Sequence, residues 1–290
     1  MRMFKAILAI AALLLVSPVS AETVPVAKPK SILFIGNSFT FGANSAVRRY
    51  RADKVTDLNA DNTGGVPALF KVMTEQAGLS YEVSLETVGG TDIAFHLTQK
   101  HGLIVKPWDV VVLQTYSTLD AKAPGNPQTL IDSTAAISKA LRAQNPKVDI
   151  YLEATWARAD LVYAKPSPWN GKPIGVMAAD LRAGADRAAS GQVKSVIPVG
   201  QAWDLAMTEG VADPNPYDGT TFGQMDLWSY DQYHASTYGY YLKALVVFGS
   251  VTGIDPRTLG PKEKSAADLG ISPKQAEALQ AVAYRTLHPN

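Results

Sequence analysis

The chain has 290 residues, 47% of them hydrophobic and 18% charged, with no cysteine and a formal charge of +1. Such a chain can bury a full core and is not disordered. The near-neutral balance offers no basic field to nucleic acid or an anionic membrane, and the missing thiols exclude disulfides, cysteine nucleophiles and thiolate metal sites.

Residues 1–21 open with Arg2 and Lys5, continue as an apolar run from Ala6 to Val16, and end in Val19-Ser20-Ala21 before Glu22. A basic start, a run too short to span a bilayer and a small-x-small site make up a secretory signal cut after Ala21. The mature chain, 22–290, is then expected outside the cytoplasm, secreted or periplasmic, as one domain that holds together without disulfides. Taking Arg2 and Lys5 from the 27 Lys and Arg leaves 25 against 26 Asp and Glu, a formal charge of about −1.

After an exposed lead-in with Pro25 and Pro29, the apolar run Ser31–Ile35 stops abruptly at Gly36-Asn37-Ser38. That pattern predicts a buried strand delivering one hydroxyl to the carboxyl edge of a sheet, where open α/β folds place their ligands. Residues 39–65 are polar and irregular, a wall or lid over that edge with at most a short helix. Arg48, Arg49 and Arg51 within it read as solvated surface, with contact to an anionic substrate group as the alternative. Asp57-x-Asn59-x-Asp61 opens like a calcium loop, but Asn62 stands at the turn-glycine position and Ala68 at the closing glutamate, so no metal is expected there.

Helical periodicity follows over 66–78, then a strand over 80–88 that ends in Gly89-Gly90-Thr91, a short helix over 92–100, and the continuous apolar strand Trp108–Gln114, of the kind buried on both faces. Further helices are predicted over 127–145, 176–189, 201–209, 237–251 and 273–287, with strands over 148–154 and 193–199 and a loop over 214–223. Strands alternating with helices specify an α/β fold, a parallel sheet of about five strands covered on both sides.

A serine hydroxyl is inert until a base takes its proton. Asp231-Gln232-Tyr233-His234 supplies a base, His234, with Asp231 placed to hold its tautomer. Gly89 and Gly90, at the end of the second strand, offer unobstructed backbone N–H groups, Gly90 being preferred. Gln114 ends the third strand and can direct its amide into the same space, and the N–H of Ser38 itself is the remaining oxyanion donor. Each block alone is a common turn or helix start. Their coincidence, each at a predicted strand end, points to acyl transfer by Ser38, His234 and Asp231. The G-x-S-x-G elbow is absent, since Thr40 holds its last position. No metal-ligand spacing joins the four histidines, so neither metal nor organic cofactor is expected. His96, Trp156, Trp169, Trp228 and Tyr233 are candidate substrate contacts, with packing as the alternative, and the rings around His234 favour a carbohydrate over a long-chain lipid.

On these blocks the chain resembles the SGNH hydrolases, the GDSL-type esterases and lipases. Gly36-Asn37-Ser38 stands where that family has Gly-Asp-Ser, Thr87–Thr91 is similar to its glycine block, and Asp231 and His234 match its final D-x-x-H. Val112-Leu113-Gln114-Thr115 replaces its Gly-x-Asn-Asp, so the resemblance implies Gln114 in place of the oxyanion asparagine. It covers essentially the whole mature chain and implies a three-layer, flavodoxin-like sandwich. The expected activity is hydrolysis of a short acyl ester, acetyl above all, on a small molecule or polysaccharide. A lipase, arylesterase or acyltransferase with the same site, or a glycan-binding protein without catalysis, is the alternative. Neither nucleic acid nor stable membrane insertion is expected of the mature chain.

Overall fold

The computed structural model describes residues 28–289, so the expected signal, 1–21, lies outside them. Six parallel strands form one sheet: β1 (Lys30–Gly36), β2 (Thr56–Asp57), β3 (Tyr81–Thr87), β4 (Val110–Leu113), β5 (Asp149–Glu153) and β6 (Ser195–Ile197), in the order β2-β3-β1-β4-β5-β6. The extra strand relative to the sequence expectation is β2, whose two residues are too few to show a period. Both edge strands are short, which leaves little open backbone for another chain to pair with.

Side-chain alternation along the strands separates two cores. Ile32 and Phe34 of β1, Val110 and Val112 of β4 and Tyr151 of β5 point to one layer. Leu33 and Ile35, Val111 and Leu113, and Ile150 and Leu152 point to the other. The first layer is made by α2 (Gly65–Gln76), α7 (Val199–Thr208), α8 (Thr237–Thr252), the short α9 (Lys264–Asp268) and α10 (Pro273–Leu287). The second is made by α3 (Ile93–Gln99), the short α4 (His101–Ile104), α5 (Gln128–Gln144) and α6 (Ile174–Ala189). α8 is buried all round from Gly239 to Gly249, and for that reason its apolar residues show no stripe. It starts at a Ser236 cap and stops at Gly253, whose φ of 73° is left-handed. A capping box of Ser272 and Gln275, with Pro273 at the first turn, sets the start of α10.

Residues 39–65 are less of a loop than expected. They hold the one-turn helix α1 (Ser38–Phe41), two 3₁₀ turns and β2. The Asp57 carboxylate there accepts the backbone N–H groups of Asn59, Asp61 and Thr63, which makes the calcium-like spacing an Asx turn. No helix of the described residues is long and apolar enough to cross a membrane.

Candidate active site

The carboxyl end of β1 lies between β3 and β4, where the strand order reverses direction. Gly36 is the last strand residue, and a Cβ there would stand 2.5 Å from Thr40 Oγ1 and 2.6 Å from Gln114 Oε1. The turn therefore admits only glycine without rearrangement. Asn37 caps α1 by accepting the N–H of Phe39 (3.1 Å), while its Nδ2 donates to Thr91 O (2.9 Å) and Thr115 O (3.2 Å). An aspartate has no N–H for those two carbonyls, which accounts for asparagine in this block. Ser38 opens α1 and is 7% exposed; its carbonyl accepts the N–H of Ala43, and Tyr240 Oη lies 3.1 Å from it.

His234, the expected base, sits on a tight loop closed by the Trp228–Ala235 bridge, with Gln232 at a φ of 56°. Asp231 builds this loop: Oδ1 accepts the N–H of Tyr233 (3.1 Å) and His234 (2.9 Å), and Oδ2 lies 2.6 Å from His234 Nδ1. Asn44, from the stretch just after α1, adds an Nδ2–H to Oδ2 at 2.7 Å. Burial raises the Asp231 carboxyl, but the His234 ring N–H and the two backbone N–H groups outweigh it and hold the group below the ordinary carboxylate range. With Nδ1–H facing the carboxylate, a neutral His234 keeps its lone pair on Nε2. That nitrogen is buried and has no hydrogen-bond partner among the described residues. The imidazole meets Phe39, the residue after Ser38, edge-on at 5.7 Å between ring centroids.

Ser38, Asp231 and His234 thus come to one edge of the sheet. Beside them, no acceptor among the described residues takes the backbone N–H of Ser38, Gly89 or Gly90. Gly89 and Gly90 are exposed, and Gly90 turns the chain at a φ of 72°. A cleft of about 330 Å³ next to this turn is lined by Arg48, Asn59, Lys100 and Gly89 among others. A cleft of about 1260 Å³ lies away from the site, between β6 and the end of α10.

Five of the expected site residues occupy other places. Gln114 is 1% exposed: its Oε1 accepts Asn37 N–H (2.9 Å) and the Thr40 hydroxyl (3.0 Å), and its Nε2 donates to Thr115 O. Both ends of the amide are engaged beneath the Gly36–Ser38 turn, by backbone and hydroxyl partners. His96 is fully buried between Glu86 and Thr91, so it does not face a substrate. Trp156 is fully buried and stacks between Phe39 (3.9 Å) and Trp203 (4.8 Å), a floor for α1 rather than a wall. Trp228 and Trp169 are buried with their indole N–H groups on Ala157 O and Asp180. Tyr233 stays half-buried beside His234, at 4.1 Å between ring centroids.

Several supporting residues carry no sequence signal. Asn44 is one. Arg158 is another: it pairs with both oxygens of Asp160 (3.0 and 2.8 Å) and lays its guanidinium 3.6 Å from the centroid of Tyr233, backing the loop that carries His234. Asp160 N–H in turn donates to Gln232 O at 3.1 Å.

No family model matches the sequence, and no curated protein matches it. Solved structures do. A DUF4886 family protein from Bacteroides uniformis is 17% identical, with a TM-score of 0.61 over 90% of this chain and 96% of its own. A candidate SGNH hydrolase from Slackia heliotrinireducens is 20% identical, with a TM-score of 0.51 over 77% of this chain and 100% of its own. The acetylxylan esterase Axe2 from Geobacillus stearothermophilus is 15% identical, with a TM-score of 0.52 over 77% and 94%. At such identities the likeness establishes the fold: a three-layer, flavodoxin-like α/β sandwich of the kind that SGNH hydrolases share.

Proposed function

We propose that the chain is an exported serine esterase of the SGNH type that removes short acyl groups, acetyl above all, from carbohydrate. The observation that carries this is the buried, unpartnered Nε2 of His234, its ring fixed by Asp231 from behind and set against the short helix that Ser38 opens. An imidazole so held is a base awaiting a proton donor.

In the proposed cycle His234 Nε2 takes the Ser38 hydroxyl proton as Oγ attacks the ester carbonyl. The N–H groups of Ser38 and Gly90 receive the oxyanion. Collapse expels the alcohol, protonated by His234, and leaves Ser38 acylated; water, deprotonated by the same imidazole, then releases the acid. No metal or organic cofactor enters these steps.

The carbohydrate preference draws on exposed rings in the segment that leads to Asp231: Tyr217 is 48% exposed, Phe222 104% and Tyr230 81%. Rings of this kind stack on sugar faces. Likeness of fold to an acetylxylan esterase agrees with it.

The test is hydrolysis of p-nitrophenyl acetate by the wild type and by Ser38→Ala, expected to fall at least about 10³-fold in the variant. Equal rates would end the esterase assignment. Acetate release from acetylated polysaccharide is expected to exceed cleavage of long-chain p-nitrophenyl esters, and the opposite order would make the enzyme a lipase.

A further inference from the structure

α8 carries two buried polar side chains one turn apart, Tyr240 and Lys243, and both reach the backbone of α1. Tyr240 Oη is 3.1 Å from Ser38 O and from Ala43 O. Lys243 is fully buried, and its three N–H bonds have three acceptors: Glu153 Oε2 at 2.6 Å, Phe39 O at 3.0 Å and Thr40 Oγ1 at 3.4 Å. Glu153 ends β5, is 2% exposed and has no other donor among the described residues. The Thr40 hydroxyl passes the link to Gln114 Oε1, which also takes the N–H of Asn37. One polar chain therefore joins β5, α8, α1 and the end of β4.

A buried ion pair is a poor device for stability alone, since apolar side chains of similar volume commonly serve as well or better. Desolvation pushes the Glu153 carboxyl up and the Lys243 ammonium down, against the charged forms. What the ammonium reaches beyond Glu153 is the nucleophile helix. α1 has four residues, too few to hold itself by its own hydrogen bonds. Its orientation depends on outside partners for its carbonyls, and α8 supplies them at Ser38 and Phe39. The same helix begins at Thr237, three residues after His234.

We propose that Lys243, anchored by Glu153, is a positioning residue for the nucleophile: by gripping Phe39 O and Thr40 it fixes the orientation of α1, and with it of Ser38, on the side of His234. This rests on the esterase assignment above. The pair touches no reacting atom.

The experiment compares the wild type, Ser38→Ala and the double variant Lys243→Met/Glu153→Leu, which removes both charges and fills the space. Denaturation midpoints, kcat and KM for p-nitrophenyl acetate, and the rate of inactivation by a serine-reactive phosphonate are measured. The double variant is expected to keep a midpoint equal to or above that of the wild type, while kcat falls about 10- to 100-fold with little change in KM and inactivation slows in parallel. A folded double variant within about twofold of wild-type kcat overturns the proposal. So does a loss that vanishes when rates are corrected for the folded fraction. Should the double variant not fold, Thr40→Val, which cuts the link to Gln114 without stranding a charge, decides: unchanged kcat in that folded variant also overturns it. A wild type with no Ser38-dependent hydrolysis takes down both assignments, whereas an active wild type with an equally active double variant removes this one alone.

Discussion

Asn37 donates to the carbonyls of Thr91 and Thr115 and so ties the loops after β3 and β4 to the start of α1. Asn37→Asp replaces that donor with an anion facing two carbonyl oxygens. The expected cost is about 2–3 kcal/mol, read as a lower urea midpoint, and it should shrink on acidification as the new carboxyl regains a proton to donate. An unchanged midpoint would show that the two carbonyls do not depend on Asn37. Asp231 is a second case. Its folded-state carboxyl lies below the ordinary range, so the unfolded chain binds that proton more tightly. Its contribution is complete above the ordinary carboxylate range and is lost as pH falls through the lowered value. Asp231→Asn should therefore cost most stability near neutral pH and progressively less in acid. Stability curves that stay parallel from about pH 7 to about pH 3 would contradict this.

The junction of β1 and α1 behaves as a single element. Gly36 leaves room for Thr40 and Gln114, whose hydrogen bond crosses the turn, and Gly42 ends α1 at a φ of 80°. Gly36→Ala pushes a methyl group into both side chains and should cost about 1–3 kcal/mol with a fall in kcat toward p-nitrophenyl acetate. Wild-type stability and turnover together would mean that the turn relaxes freely. β1 was readable because a strand covered on both faces is apolar throughout, and α10 because its cap and proline are local signals. α1 was not readable, since its helical form is imposed by Asn37 below and by α8 above.

At the scale of the whole molecule, the proposed chemistry falls at the point where the strand order reverses. Loops from β1, β3 and β4 converge there, and Asp231 and His234 arrive on a segment that closes onto the end of α1 through Asn44. The chain is expected to work outside the cytoplasm, where the absence of cysteine makes its stability independent of redox conditions. The mature protein should then begin at Glu22. N-terminal sequencing of the purified native protein checks it, and a chain still starting at Met1 would end the export proposal.

Sequence alone determined the alternation of strands and helices, and with it the layered sheet, because burial periods and caps are properties of neighbouring residues. It also determined Asp231 and His234 as partners, since three residues of spacing in one loop bring them together. Only the tertiary structure decided that Gln114, His96 and Trp156 lie beneath the candidate site, that Asn44 meets Asp231 across 187 positions, and that Lys243 of α8 is buried against α1. The physical reason is that burial and long-range hydrogen bonding depend on which surfaces the folded chain presses together, and residue type does not encode that.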